Sequence, residues 1–201
     1  MLKAIFFDLG GTIIPFDFMR GFKALARHSQ HSLEEILRRV RASDLFPRFE
    51  KGEIEPCDFV GEFCTLFDCR LDYEEFCRIW GVIFLPQPLI EESLLAGLKR
   101  NYRLYSLSNT NAIHFPMVMR AYPLLKHLDG HVLSYEVGAM KPSPEIYRAA
   151  IERAGCRADE CLFIDDIAEN IEGARREGID GILFRGDEQL KGALAVRSLC
   201  W

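Results

Sequence analysis

Asp8 closes the apolar run KAIFFD and is followed within three residues by Gly10 and Gly11, an odd place for a carboxylate unless it caps a loop or does chemistry. Ser108 and Asn109 end a second apolar run, RLYSLS, and Asp165 with Asp166 end a third, CLFID. Lys141 stands just before Pro142. Singly, each reads as a turn residue or a solvated charge. Together they imply more: carboxylates gathered at one place repel unless a cation sits among them, and hard oxygen ligands beside a lysine suit Mg²⁺ and a phosphate. A glycine loop adds backbone N–H groups for the same anion.

The elements that must position these groups follow from the hydrophobic period. Residues 3–8 read as a buried parallel strand ended by glycines. After Pro86 and Pro88 the pattern alternates. It predicts a helix at 89–100, a strand at 103–108, a helix at 112–121 and a strand at 130–134. A helix then starts at Ser143 and Pro144 and stops at Gly155. A strand at 161–165, a helix at 168–177 closed by Gly178, a strand at 181–184 and a packing helix in 187–201 complete the set. This is an α/β core with a parallel, Rossmann-like sheet. In open sheets of this kind ligands bind beyond the carboxyl ends of the strands, which is where Asp8, Ser108, Asn109, Asp165 and Asp166 fall.

Residues 17–84 read differently. Ser32 with Glu35 forms a capping box ahead of Leu33, Ile36, Leu37 and Val40, while Phe59, Phe63, Leu66 and Phe67, then Phe76, Ile79, Trp80 and Ile83, recur at helical spacing. With the segment around Phe18, Phe22 and Leu25, this predicts about four helices able to bury their own stripes. The expected division is a core of 1–15 and 86–201 and an inserted four-helix bundle at 16–85.

With 49% hydrophobic residues the chain can build a full core without disulfides or metal staples. A net charge of -5 gives no basic field for nucleic acid or an anionic membrane. The start of the chain has no signal-peptide layout, so a cytoplasmic protein, monomeric or homodimeric, is expected. The seven cysteines show no C-x-x-C or zinc-ribbon spacing and are expected to be buried, reduced thiols, with a redox role for Cys57, Cys64, Cys69 and Cys77 a lesser alternative.

FDLGGT at 7–12, LSNTN at 107–111, GAMKPSPEIYRAAIERAG at 138–155 and FIDDIAENIEGARREGI at 163–179 resemble, in order and spacing, the four signature motifs of the haloacid dehalogenase (HAD) superfamily. The insertion looks like the helical cap of subfamily I, and the chain is similar to bacterial α-D-glucose-1-phosphate phosphatase-like proteins. The resemblance implies that Asp8 is a nucleophile forming an aspartyl-phosphate. It implies Mg²⁺ held by Asp8, the Gly10 carbonyl and Asp166, with Asp165 and Asn170 orienting the ligands. Ser108 and Lys141 would stabilise the phosphoryl group, with Asn109, Gly11, Thr12 and Asn111 around the substrate, a small phosphorylated metabolite such as a sugar phosphate. For Asn111 and His114 a helix N-cap and a partly exposed histidine serve equally well.

Most phosphatases of this superfamily carry a second aspartate two residues after the nucleophile, as general acid and base; here Gly10 stands there. Such a group is worth about 10² to 10⁴ in rate. Asp17 is one substitute, although it suits an N-cap equally. The readings that follow are a Mg²⁺-dependent phosphatase, a catalytically impaired phosphate-binding or regulatory protein, or a haloacid dehalogenase. The first predicts that p-nitrophenyl phosphate outruns a simple alkyl phosphate and that Gly10→Asp narrows the gap. Arg20, Arg48, Phe46 and Phe49 could face either the site or the bundle interior.

Overall fold

The computed structural model describes all 201 residues. Five parallel strands form one sheet in the order β3-β2-β1-β4-β5: β1 Ala4–Phe7, β2 Arg103–Ser108, β3 Gly130–Leu133, β4 Cys161–Asp165 and β5 Asp180–Leu183. The first strand in sequence is thus the middle one in space. Phe7 pairs with Ser106 on one side and Ile164 on the other, so Asp8 leaves the sheet beside the ends of β2 and β4.

Alternation along β1 divides its side chains between two cores. Ile5 and Phe7 join Leu104, Leu162, Ile164 and Ile182 under α6 (Glu92–Leu98), α7 (His114–Ala121) and α11 (Asp187–Val196). Ala4 and Phe6 join Tyr105, Leu107 and Phe163 under α9 (Pro144–Ala154) and α10 (Ala168–Arg176). With both faces covered, the strands can be apolar throughout, and a buried Phe or Ile is worth about 1.5–3 kcal/mol each. The expected C-terminal packing helix is α11, which buries Leu190 and Leu194 completely.

The segment between β1 and α6 holds α1 (Phe18–Ala26), α2 (Leu33–Ala42), α3 (Leu45–Glu50), α4 (Pro56–Leu66) and α5 (Tyr73–Trp80). That is five helices where four were expected. The extra one, LFPRFE, is too short to show a period, and its Pro47 is tolerated because the first turn has no intrahelical N–H bonds to lose. These helices enclose a third, strongly aromatic core of Phe22, Phe49, Phe59, Phe63, Phe67, Phe76 and Trp80. Ser32 caps α2 through Glu35 N at 3.2 Å, but the Glu35 carboxylate turns to Arg38 and Arg39 instead of completing the capping box.

The chain enters and leaves this insertion through paired segments. Asp17 N donates to Ile83 O at 2.8 Å and Leu85 N to Pro15 O at 3.0 Å, around an antiparallel bridge between Phe16 and Phe84. We propose that this neck separates a core of 1–15 and 86–201 from the insertion of 16–85. A second junction lies at Gly52 (φ +71), where an added Cβ would stand 2.1 Å from the Tyr135 carbonyl of α8 (Ser134–Val137).

All seven cysteines are free, yet only Cys69 and Cys161 are buried; Cys57 and Cys200 are exposed and the rest half-buried, so the expectation of buried thiols holds for two. No helix is long and apolar enough to cross a membrane.

Candidate active site

Beyond the carboxyl ends of β1, β2 and β4 lies a cavity of about 240 Å³ lined by Asp8, Gly10, Ser108, Asn109, Lys141, Asp166 and Asn170 on the sheet side. Asp8 is delivered there by its strand: its N–H still joins the sheet, donating to Ile164 O at 2.9 Å, while its side chain is already past the last strand residue. Lys141 comes from the loop before α9. Its Nζ stands 2.8 Å from Asp8 Oδ1 and 2.7 Å from Asp165 Oδ2, with the side chain only 1% exposed. Such a fully desolvated triad is stable only because each charge has a partner.

Each member is held by a further layer. Asp165 accepts from Asn170 Nδ2 at 3.1 and 3.0 Å and from Ile167 N at 2.7 Å, so its oxygens are fully engaged. Asn170 is fixed through its carbonyl, which accepts from Tyr147 OH at 2.7 Å. Asn109 clamps the lysine loop, accepting from Lys141 N at 2.8 Å and donating to Lys141 O at 3.0 Å. Its amide is therefore spent on positioning Lys141, whereas the sequence placed it on the substrate. Ser108, buried to 3% exposure, makes only a 3.5 Å bond to Asn109 O, which leaves its hydroxyl available.

Burial pushes the Asp8 carboxyl up, against the pull of the Lys141 ammonium, and the charge of Asp165 adds to the push. For Lys141 burial works the other way, and its two carboxylate partners outweigh it, holding the ammonium above the usual lysine range. Asp166 is raised by burial and by the negative charge of Asp165.

The donor set suits a hard cation. One oxygen each of Asp8, Asp165 and Asp166 lie within 4.8 Å of one another. Asp166 Oδ1 is buried with no partner, an arrangement that is costly without a ligand. Gly11 makes room for that carboxylate: its φ is +79, and a Cβ there would meet Asp166 Oδ2 at 2.4 Å. The Gly11 N–H is already taken by Ile14 O at 2.9 Å, so this glycine serves through conformation and space rather than as the expected donor to a substrate.

Other expectations change. Thr12, expected beside the substrate, is wholly buried with no partner for its hydroxyl and does not line the cavity. Asn111 Oδ1 accepts from Ile113 N at 3.2 Å and His114 N at 2.9 Å, closing the start of α7 in place of contacting a substrate. His114 is buried, not partly exposed, and burial lowers it to about 3, so the ring is neutral. Since Asn111 Nδ2 donates to its Nδ1 at 3.3 Å, the proton sits on Nε2, which is buried, has no partner and belongs to a cavity-lining residue. Asp17 caps α1, accepting from Met19 N at 2.8 Å, and is exposed outside the cavity. Arg48 pairs with Glu62 at 3.0 Å, while Phe46 and Phe49 pack within the insertion.

The insertion side of the cavity is formed by Phe16, Phe18, Glu50, Ile83 and Phe84. Phe16 fills the space beside Gly10, where an added Cβ would meet its ring at 2.8 Å. Glu50 makes no hydrogen bond or ion pair, and burial raises its carboxyl to about 7. Sequence reasoning missed it. Nothing in LFPRFEKG marks Glu50 out, since the cavity it lines is closed by segments distant in sequence.

A sequence model of the family described as haloacid dehalogenase-like hydrolase matches residues 2–178. The chain is similar to the D-ribitol-5-phosphate phosphatase of Bacteroides thetaiotaomicron, 29% identical over 90% of each chain. It is also similar to a phosphatase of Mycobacterium tuberculosis, 30% identical over 98% of this chain and 94% of the other. Among solved structures, a HAD family enzyme of Bacteroides thetaiotaomicron in complex with magnesium and inorganic phosphate superposes with a TM-score of 0.83. It is 29% identical, and the match covers 92% of this chain and 95% of that one.

Proposed function

The chain belongs to the haloacid dehalogenase-like hydrolases and is a phosphoric monoester hydrolase, and we propose that it cleaves a small sugar or polyol phosphate through a phosphorylated Asp8. The observation that carries this reading is the buried Asp8–Lys141 pair beside the partnerless oxygen of Asp166. Asp8 attacks phosphorus with the oxygen not held by Lys141. The ammonium of Lys141 and the hydroxyl of Ser108 meet the charge that develops on the phosphoryl oxygens. Asp165, Asn170 and Asn109 keep Lys141 at that spot.

Asp8, Asp166 and the carbonyl of Gly10 would hold Mg²⁺, which supplies charge neutralisation at the phosphoryl oxygens. The substrate class is supported by the D-ribitol-5-phosphate phosphatase likeness and by a cavity of about 240 Å³, which suits a small organic phosphate. The partnerless Asp166 oxygen favours this reading over a metal-free dehalogenase.

A panel of metabolite phosphates tests the proposal. Phosphate release in Mg²⁺ should fall to background in EDTA, and Asp8→Asn should lower kcat by at least about 10³-fold. Turnover that persists in Asp8→Asn, or is indifferent to EDTA, would sink the reading.

A further inference from the structure

Breaking a phosphate ester of an ordinary alcohol requires a proton for the departing oxygen, and Gly10 provides none. The cavity contains five side chains that could carry one: Asp8, Lys141, Asp166, His114 and Glu50. Asp8 is the nucleophile of the proposed reaction, and Lys141 is locked between Asp8 and Asp165. Asp166 carries the free oxygen that suits a cation. His114 is a neutral imidazole whose Nε2–H can hydrogen-bond but is far too weak an acid to release its proton. Glu50 alone is uncommitted.

Resting on the phosphatase reading above, we infer that Glu50, contributed by the helical insertion, is the general acid and base of the reaction in place of the side chain missing at Gly10. As Asp8 bonds to phosphorus, the bond from phosphorus to the ester oxygen breaks and that oxygen takes the carboxyl proton of Glu50. The Glu50 carboxylate then takes a proton from a water molecule. The water oxygen bonds to phosphorus, the bond from phosphorus to Asp8 breaks, and phosphate leaves with Asp8 and the Glu50 carboxyl restored.

Two observations hold Glu50 in place for this. It is the last residue of α3, directly after Phe49, whose ring stacks on Phe59 with centroids 4.0 Å apart inside the aromatic core. Two residues later, Gly52 lies against the Tyr135 carbonyl of the α/β core. Glu50 is thus anchored on one side by the insertion and on the other by the body that carries Asp8. Its carboxyl, raised to about 7 by burial, can exist in both the protonated and ionised forms near neutral pH, as a group that gives and retakes a proton must.

The test compares p-nitrophenyl phosphate, whose acidic leaving group needs no proton, with phenyl phosphate, whose leaving group does. The parameter is kcat/KM, which covers the steps only through departure of the alcohol. Glu50→Gln should lower kcat/KM for phenyl phosphate by about 10²-fold while changing that for p-nitrophenyl phosphate by less than about fivefold. Glu50→Asp, which retains an acid, should recover part of the phenyl phosphate activity. Equal losses on both esters would make Glu50 a binding or structural residue, and no loss on either would remove it from the reaction; both overturn the inference while leaving an active phosphatase. A wild-type protein that cleaves neither ester in Mg²⁺ would instead bring down the reading on which it rests.

Discussion

On the sheet side of the cavity, Lys141 stands between Asp8 and Asp165 at 2.8 and 2.7 Å, and Asp165 is gripped in turn by Asn170 and a backbone N–H. On the insertion side, Glu50 has no polar partner and shares its wall with Phe16 and Phe18. The difference separates two tasks. Closely paired charges fix positions; a lone half-buried carboxyl is held less firmly, and Glu50, raised to about 7 by burial, can change protonation at little cost near neutral pH. In the proposed reaction the first kind of wall would hold phosphorus and the second would move a proton.

The largest effect expected from this contrast is on stability. Lys141→Met leaves Asp8 and Asp165 buried without their counter-charge and should cost about 3–5 kcal/mol, besides abolishing turnover. Arg48→Ala, which removes the half-exposed pair with Glu62 in the insertion, should cost less than about 1 kcal/mol. Chemical denaturation of both variants measures the gap; comparable losses would break the comparison.

An intermediate effect is expected where the two regions touch, at His114, whose ring stacks against Trp80 of the insertion at 5.7 Å. Folded, the ring stays neutral down to about 3, whereas the unfolded chain takes a proton near 6.5. The unfolded state therefore binds more protons between these values. The contribution of His114 is complete above pH 6.5 and declines as pH falls toward 3, by up to about 1.4 kcal/mol per pH unit. The stability difference between the wild type and His114→Gln, read from urea unfolding at pH 7 and pH 5, should shift against the wild type as pH falls; the raised carboxyls of Glu50 and Asp8 contribute the opposite slope to both proteins and cancel in the difference.

The smallest effect concerns the space beside Gly10. Gly10→Asp forces the Phe16 ring aside and should cost about 1 kcal/mol, a loss that Phe16→Ala relieves in the double variant. Additive losses would show that Phe16 yields freely. The double variant also gives the gain on alkyl phosphates anticipated for Gly10→Asp its fairest trial, since the new carboxyl then has room.

Much of the core was legible because its signals are local. Apolar runs ended by polar residues located β1, β2 and β4, and Pro144 with Gly155 bracketed α9. The convergence of Asp8, Lys141 and Asp166 on one cavity was legible from their placement after strands and in the loop before α9. What the sequence concealed depends on contacts between distant segments. Asn109 reads as a substrate residue until its amide is seen closed on the backbone of Lys141, and Gly11 reads as a phosphate donor until its N–H is seen bonded to Ile14. Glu50 lay in a six-residue helix with no period to reveal its face, and Phe16 gave no sign that it fills the gap at Gly10.

The central position of β1 has a consequence for how the molecule is made. Ala4 pairs with Arg103 on one side and Cys161 on the other, so the strand that leads into Asp8 is synthesised first and flanked last. A chain cut after Glu160 would lack β4, leaving β1 as an exposed edge and depriving Lys141 of Asp165. Pairings between segments so distant in sequence slow folding relative to local ones. The cluster of Asp8, Lys141, Asp165 and Asp166 is therefore complete only once the chain has been made through Asp166.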